Sequence, residues 1–203
     1  VFTAAALLFG EISTEMIIYL VLVFVEMLTG FMDDAADEPW GEYKKGILDF
    51  IVAAIVALNY MHFNSTTVEI ATIGLKLNIH PVIFFILTII LVWAAINVTN
   101  CSDGVDGLSG TLTIITLVTI YVIDQIKGAG LDFAYIILLF IVCILGYLWY
   151  NAAPSKLMMG DAGSRAMGIF ISIAILKTGS PFLFLLTAAV LIVDGGLGLI
   201  KVA

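Results

Sequence analysis

The stretch that decides the fold is Asn97-Val-Thr-Asn-Cys-Ser-Asp-Gly-Val-Asp-Gly-Leu108, a polar segment between two long apolar runs. It includes two asparagines, two aspartates and two glycines. An ionised aspartate inside hydrocarbon costs about 2.5–3.5 kcal/mol even on the mildest insertion scale. We therefore expect this segment to form a turn at a membrane face, where its aspartates reach water or a water-filled cleft.

The composition indicates a helical membrane protein. Of the 203 residues, 62% are hydrophobic and only 12% are charged, which is far more apolar than an ordinary soluble domain. Several apolar runs approach the roughly 20 residues that a helix needs to cross a bilayer. These runs do not alternate apolar with polar residues, as the strands of a membrane β-barrel would. The sequence predicts an all-α, polytopic transmembrane helical bundle, with one integral-membrane domain over residues 1–203.

Charge and cysteine content exclude several other classes of function. The net charge is −8, from 16 acidic and 8 basic residues, which argues against a nucleic-acid partner. The two cysteines, Cys101 and Cys143, are far apart and lack metal-ligand spacing, so neither a disulfide nor a zinc site is expected. The first residue is valine and the last follows an apolar run. We therefore expect a fragment of a longer protein that lacks both ends.

The apolar runs predict about seven complete spans and one partial span. The partial span is 3–9, and the complete spans are 16–32, 46–63, 81–98, 108–126, 132–150, 164–177 and 182–201. The polar segment 64–80 is rich in Thr, Val and Ile, which predicts a small β-hairpin. Asp194-Gly195-Gly196 predicts a break in the last span, with its freed backbone groups satisfied by neighbouring helices.

Counting the spans places three polar segments on the same face of the membrane. Asp33 and Asp34 end the first complete span, 97–108 follows the third span and 151–163 follows the fifth. By the same count, five of the eight basic residues lie on this face. An excess of Lys and Arg is typical of cytoplasmic loops, so we expect this face to be cytoplasmic.

The three segments bring acidic residues to one membrane surface. They carry the pair Asp33-Asp34, then Asp103 and Asp106, and finally Asp161. Carboxylate oxygens suit Mg²⁺, which usually takes one or two protein carboxylates together with substrate phosphates and water. The sequence therefore predicts a magnesium-assisted reaction on a diphosphate at the lipid boundary.

The third segment also has features of a phosphate site. Gly160-Asp161-Ala-Gly163-Ser164 runs into a predicted helix, whose free backbone N–H groups and dipole suit a phosphate. Lys156 and Arg165 flank it and are predicted to add positive charge.

Each motif taken alone has a structural alternative. A pair of aspartates can end a helix in water, and Asp-Gly pairs form turns and helix caps. The common membrane face is what favours function. Glu26 lies two helical turns below Asp33, where it either bonds to a neighbouring helix or lines the cleft. Asp194 is assigned to the predicted helix break and not to the site.

Three motifs carry a resemblance to a known family. They are Gly30-Phe-Met-Asp33-Asp34, Asn100-Cys-Ser-Asp103-Gly-Val-Asp106-Gly-Leu108, and Asn151 followed by Met159-Gly-Asp161-Ala-Gly-Ser164. In order and spacing they resemble the polyprenyl-phosphate N-acetylhexosamine-1-phosphate transferase superfamily, and within it the phospho-N-acetylmuramoyl-pentapeptide transferases. The resemblance runs from about residue 10 to the end. It implies a ten-helix protein of which this chain would lack the first helix, most of the second and the last.

The resemblance implies an activity in peptidoglycan synthesis. Phospho-MurNAc-pentapeptide would pass from UDP-MurNAc-pentapeptide to undecaprenyl phosphate, giving lipid I and UMP. It also implies Mg²⁺ as cofactor, a homodimer in the membrane, and an active site on the cytoplasmic face of the bacterial inner (plasma) membrane.

The resemblance further implies roles for individual residues. Asp33, Asp34 and Asp161 would be catalytic, with Asp161 and Asp34 holding Mg²⁺. The residues implied in substrate binding are Asn100, Asp103, Asp106, Asn151, Gly160 and Ser164. The chain departs from the family at Asp37, where the family usually has Lys, and Lys44 and Lys45 align with later basic positions only across a gap. The family's His-rich cytoplasmic loop would lie beyond Ala203.

Two questions stay open at this stage. The first question is whether the lipid phosphate attacks the nucleotide sugar directly or the reaction passes through an aspartyl-phosphate intermediate. The alternative functions are a sister transferase that uses UDP-GlcNAc, and a transporter with polar sites at broken helices. A transporter should carry polar residues near the bilayer midplane, whereas here they are predicted at one face.

Overall fold

A computed structural model describes residues 1–9, 13–70, 74–127 and 131–202 of the chain. In chain order its elements are α1 (Phe2–Phe9), α2 (Thr14–Asp34), α3 (Glu42–Phe63), β1 (Thr67–Ile70), β2 (Leu75–Asn78), α4 (Pro81–Cys101), α5 (Leu108–Lys127), α6 (Leu131–Asn151), α7 (Gly160–Lys177), α8 (Phe184–Thr187) and α9 (Ala189–Val202). A short 3₁₀ turn over Pro181–Leu183 precedes α8.

The prediction of an all-α, multi-pass membrane bundle is confirmed. Within the described residues, five helices, α2 to α6, are long and apolar enough to cross a membrane, and the bent pair formed by α8 and α9 would make a sixth span. The predicted number of about seven complete spans is not confirmed. Helix α7 carries the charged residues Asp161, Arg165 and Lys177, and the last predicted span bends by 75°.

Helix α7 lies at the centre of the bundle. Its residues are buried without interruption from Ser164 to Leu176. Beyond Arg165 this stretch is almost entirely apolar on every side, as expected for a buried helix. Glycines allow neighbouring helices to approach its backbone, as is common between membrane helices. A Cβ atom on Gly168 would lie only 2.5 Å from the Cα atom of Ile96 in α4, so the two helices are in direct backbone contact there.

The predicted hairpin in segment 64–80 is confirmed. Strands β1 and β2 are antiparallel, with Thr67 opposite Asn78. At the outer end of the bundle, Lys127 of α5 pairs with Glu69 of β1 (Nζ to Oε2, 2.8 Å) and donates to the Thr178 carbonyl after α7 (2.7 Å). The hydrogen bond from Lys127, and then its positive charge, lower the pKa of Glu69. Lys127 therefore connects the hairpin to the C-terminal end of α7.

The predicted break at Asp194-Gly195-Gly196 is wrong. These residues lie within α9, and the chain bends between α8 and α9, at Ala188. Gly195 has a packing role instead, because a Cβ atom there would lie 2.8 Å from the carbonyl carbon of Val98 in α4. The glycine therefore marks a close helix crossing and not an interrupted helix.

The helices extend further at the site face than the apolar runs predict. Asp33 and Asp34 form the last turn of α2, Asn100 lies in the last turn of α4, and Asp161 is in the first turn of α7. Hydropathy detects only the part of a helix that lies in hydrocarbon. At the start of α7, the polar turn has a partner for its free backbone N–H groups, because Asp34 accepts those of Asp161 and Ala162.

Candidate active site

The last turns of α2 and α4 meet the first turns of α3 and α7 at one end of the bundle. The three polar segments that the span count placed on one face are in contact there. Asp34 accepts a hydrogen bond from the backbone of α7, and Asn100 donates one to Asp161 of α7. Asn151 accepts a hydrogen bond from Gly107 in the loop after α4. The arrangement follows from connectivity, because each of these chain segments reaches the same side of the bundle.

Asp34 caps the start of α7. Its Oδ1 accepts a hydrogen bond from the Asp161 backbone N–H and its Oδ2 accepts one from that of Ala162, both at 3.2 Å. A carboxylate is favoured at a helix N-terminus, where free N–H groups and the helix dipole are positive. The phosphate site that the sequence predicted at these N–H groups is therefore filled by Asp34.

Two glycines make this cap possible. Gly160 has a φ of +64°, and a Cβ atom on it would collide with the Asp34 carboxylate, lying 3.1 Å from its Cγ. A Cβ atom on Gly30 of α2 would lie 2.6 Å from the backbone nitrogen of Ala162. Both positions therefore need glycine for α2 to lie against the first turn of α7. The sequence feature that could have indicated the packing role of Gly30 is its position one helical turn, or four residues, before Asp34.

Lys45 is a site residue that the sequence reasoning missed. Its Nζ lies 2.6 Å from Oδ2 of Asp33 and 3.2 Å from Oδ2 of Asp161. Asp33 is 6% exposed, and its other oxygen accepts the Trp40 backbone N–H at 2.6 Å. The neighbouring Lys44 instead lies over the Trp40 ring. The sequence feature that could have identified Lys45 is the Lys44-Lys45 pair directly before the second predicted span. This pair aligns with basic positions of the family only if a gap is allowed.

Asp161 is held from the other side by α4. Asn100 donates from Nδ2 to Oδ1 of Asp161 and to Oγ of Ser164, both at 2.9 Å. The Ser164 hydroxyl in turn donates to the Gly160 carbonyl. The structure thus brings Asn100, Asp161, Gly160 and Ser164 together, and their contact with a substrate stays a prediction.

Asp103 lies beside this cluster, in the loop between α4 and α5. Burial of the carboxyl group, and then the negative charges of Asp161 and Asp34, raise its pKa from the ordinary 3.8 to about 6. The folded protein therefore binds this proton more tightly than the unfolded chain. The contribution of Asp103 to folding stability is present at low pH and decreases as pH rises from about 4 to about 6.

This pKa leads to a direct prediction. The protonated carboxyl band of Asp103 in the infrared spectrum is expected to disappear as pH rises through about 6. Replacing Asp161 by asparagine removes one repelling charge, so the midpoint should move to lower pH. Difference spectra against Asp103→Asn assign the band. A midpoint that is the same with and without the Asp161 charge would contradict the prediction.

Asn151 and Asp106 organise the loops and do not contact Asp161 in the described structure. Asn151 is 6% exposed; its Oδ1 accepts the Gly107 N–H, and its Nδ2 donates to the Leu157 carbonyl, both at 2.9 Å. Asp106 is exposed and accepts the Ser155 N–H at 3.2 Å. Together they join the α4–α5 loop to the α6–α7 loop. Their predicted role in substrate binding is not tested by these contacts.

The sequence predicted that Arg165 flanks a phosphate site, and this prediction is wrong. Arg165 is 3% exposed and points into the bundle, where its guanidinium group binds Glu26 of α2 and Asp49 of α3. This also answers the question about Glu26, which bonds to a neighbouring helix. A buried guanidinium group needs charged partners, and sequence spacing alone did not indicate which helices would supply them.

The bundle also has an apolar groove of about 720 Å³. It runs between α3 and α4, and its walls include Glu42, Tyr43, Ile47, Phe50, Ile89 and Trp93. The residues at its polar end, Glu42, Tyr43 and Gly46, flank Lys45 in the sequence. The groove therefore begins within one helical turn of Lys45 along α3, whereas the Lys45 side chain itself faces Asp33 and Asp161.

Comparison with known proteins places the chain in a family. The sequence profile described as Glycosyl transferase family 4 matches residues 16–179. The phospho-N-acetylmuramoyl-pentapeptide-transferase of Treponema pallidum is 37% identical over 90% of this chain. Enzymes of the same name from Bacillus subtilis and Thermotoga neapolitana are 30% and 28% identical over 92% and 95% of it.

The chain spans 55%, 59% and 63% of the length of these three relatives, in the same order. The matched region contains the whole acidic cluster, from Asp33 at the end of α2 to Asp161 at the start of α7. The chain therefore belongs to glycosyl transferase family 4.

Proposed function

We propose that the protein containing this chain transfers phospho-MurNAc-pentapeptide from UDP-MurNAc-pentapeptide to undecaprenyl phosphate, giving lipid I and UMP. The relatives named above carry the name of this enzyme. The proposed setting is the bacterial inner membrane, with the acidic cluster on the cytoplasmic face and the protein acting as a homodimer.

This proposal rests on the way in which four helix ends meet: the acidic residues of α2 and α7 bind the first turn of α7, Lys45 of α3 and Asn100 of α4. Asp33 and Asp161 share Lys45, and Asp34 holds the first turn of α7. An apolar groove between α3 and α4 begins within one helical turn of Lys45 along α3. A water-soluble diphosphate and a membrane-bound acceptor need such a boundary in order to meet.

We further propose Mg²⁺ as the cofactor. Among the described residues, no three His, Cys, Asp or Glu side chains lie close enough together to hold a metal ion. The donor chemistry nevertheless fits, because Mg²⁺ in phosphate sites needs only one or two carboxylates besides the phosphates and water. Burial raises the pKa of Asp103, and the nearby negative charges of Asp161 and Asp34 raise it further. A bound cation would offset the mutual repulsion of these carboxylates. Asp161 and Asp34 are the proposed ligands, and the ion would supply charge neutralisation at the diphosphate.

In the proposed reaction, an oxygen of the lipid phosphate attacks the β-phosphorus of the nucleotide sugar. The bond from that phosphorus to the bridging oxygen breaks, and UMP leaves with the electron pair. The second pKa of a phosphate monoester is about 6, so the attacking group is mostly ionised at neutral pH. Asp33, held by Lys45 and Trp40, would orient the attacking phosphate or accept its residual proton.

The groove between α3 and α4 is the proposed site of the polyprenyl chain. Replacing Phe50 by alanine is expected to raise the KM for undecaprenyl phosphate about tenfold, since burying a phenylalanine contributes about 1.5–3 kcal/mol. The KM for the nucleotide sugar should not change. Phe24→Ala on the exposed side of α2 is the matched control. Equal effects of both substitutions on the lipid KM would argue against the groove.

The function is tested by offering UDP-MurNAc-pentapeptide and UDP-GlcNAc separately to membranes that contain the full-length protein. Release of UMP with the first nucleotide, dependent on Mg²⁺ and undecaprenyl phosphate, is the expected result. Release with UDP-GlcNAc alone would identify the sister transferase. Substrate movement without any UMP would instead indicate a transporter.

A further inference from the structure

A second charged cluster lies beneath the candidate active site. Arg165 of α7 binds Oε1 of Glu26 in α2 through Nε at 3.0 Å and through Nη2 at 2.8 Å. The same Nη2 binds Oδ1 of Asp49 in α3. Glu26, Asp49 and Arg165 are 0%, 2% and 3% exposed. We call these three residues the lower triad, and Asp33, Lys45 and Asp161 the upper triad.

The two triads are built from the same three helices. Asp49 follows Lys45 by four residues in α3, and Arg165 follows Asp161 by four residues in α7, so each step is about one helical turn. Glu26 precedes Asp33 by seven residues, or about two turns, in α2. Each triad has two acids and one base. The base is on α3 in the upper triad and on α7 in the lower triad.

This stacking constrains the rotation of α3. Helix α3 forms hydrogen bonds and ion pairs to α7 through Lys45 and Asp49, one turn apart on the same face. Asp49 also accepts a hydrogen bond from Asn97 of α4, at 3.4 Å. Turning α3 by one residue, about 100°, would move both side chains away from α7. The contacts of Lys45 and Asp49 with α7 therefore require the same rotation of α3.

Stability alone is a weak reason for burying three charges. Replacing a buried ion triad by apolar residues of similar size is often neutral or stabilising, whereas removing one partner is strongly destabilising. In some proteins, buried charged or polar groups instead serve to fix one geometry of the fold. Here the fixed geometry is the position of Lys45, whose Nζ lies within 3.2 Å of both Asp33 and Asp161.

We propose that Arg165, with Glu26 and Asp49, is a positioning residue that orients α3 so that Lys45 bridges Asp33 and Asp161. Its effect on turnover rests on the proposed transferase function. Its effect on the environment of Lys45 does not depend on that function and can be measured separately.

The test uses a variant of the full-length protein in which the lower triad is neutral. Glu26→Gln, Asp49→Asn and Arg165→Met are combined, which leaves no buried charge unpaired. The purified protein is treated with sulfo-NHS-acetate, an amine-reactive probe, and acetylation of Lys45 is measured by mass spectrometry. Lys44 is the internal reference, because it neighbours Lys45 and is exposed.

The ratio of Lys45 to Lys44 acetylation is expected to rise about fivefold, the factor for releasing an ion pair worth about 1 kcal/mol. Thermal unfolding in detergent checks that the variant is folded. An unchanged ratio in the folded variant would overturn the proposal, because Lys45 would then be held without the lower triad.

A second variant keeps the proposal testable if the triple variant does not fold. Asp49→Asn leaves Arg165 paired with Glu26, and it removes only the charge that connects α3 to the lower triad. It is also expected to raise the acetylation ratio, and an unchanged ratio again overturns the proposal.

Kinetics separates this inference from the proposed function. The neutral variant is expected to lose about tenfold in kcat while the KM for the nucleotide stays similar, as for loss of an interaction that matters in the transition state. A higher acetylation ratio together with no transferase activity in the unsubstituted protein would contradict the proposed function and support the positioning role.

Discussion

Replacing Asp161 by alanine is expected to lower Mg²⁺-dependent UMP release about a thousandfold or more. Asp161 is bound by Lys45 from α3 and by Asn100 from α4, and it stands in the first turn of α7 beside Asp34. The substitution would remove a proposed metal ligand and leave Lys45 paired only with Asp33. The measurement is UMP release at saturating concentrations of both substrates.

The matched control is Asp37→Ala, which removes an exposed acid from the loop after α2. This variant should retain activity, because it lies outside the joined helix ends. Asp161→Asn distinguishes charge from shape, since an asparagine can keep the hydrogen-bond geometry but is a poor ligand for Mg²⁺. Substantial activity in both Asp161 variants would rule out a metal-binding role for this residue.

Replacing Gly30 by alanine is expected to cause the second largest loss. The added Cβ atom would lie 2.6 Å from the Ala162 backbone nitrogen, so α2 and α7 must move apart. Asp34, four residues later, would then lose its bonds to the first turn of α7. We expect a destabilisation of about 1–3 kcal/mol from overpacking. Activity should fall about a hundredfold, as for a displacement of about 1 Å at a reacting site.

The control for this prediction is Gly146→Ala in α6, a membrane helix away from the acidic cluster. A Cβ atom there would meet no atom within 4 Å. The control should keep both stability and activity. Thermal unfolding and UMP release are measured on the same preparations. A Gly30→Ala protein that matches the control in both would show that the close contact of α2 with α7 is not needed.

Several features of the site were accessible from one-dimensional patterns. Asp33, Asp34 and Asp161 were identified because charged residues are rare in so apolar a chain and therefore stand out. Their placement on one face followed from the alternation of spans, which depends only on connectivity. These inferences need no knowledge of which helix packs on which.

Other features depend on side chains that meet from distant parts of the chain. Lys45 became a site residue because it reaches both Asp33 and Asp161, which lie 12 residues before and 116 residues after it. Arg165 was assigned to a phosphate because it follows the acidic motif, yet it faces Glu26 and Asp49. Sequence spacing gives the position along a helix, whereas the partner is set by rotation and packing.

By itself, the sequence determined the helical membrane architecture, the hairpin and the face on which the acidic residues gather. The length of each apolar run and the alternating direction of successive spans depend only on the order of residues along the chain, so the sequence is enough to obtain them. Only the tertiary structure decided that α7 is the buried centre, that Asp34 caps it, and that glycines bring helix backbones together. These outcomes depend on which surfaces pack against each other, and such long-range contacts are not encoded in any local pattern.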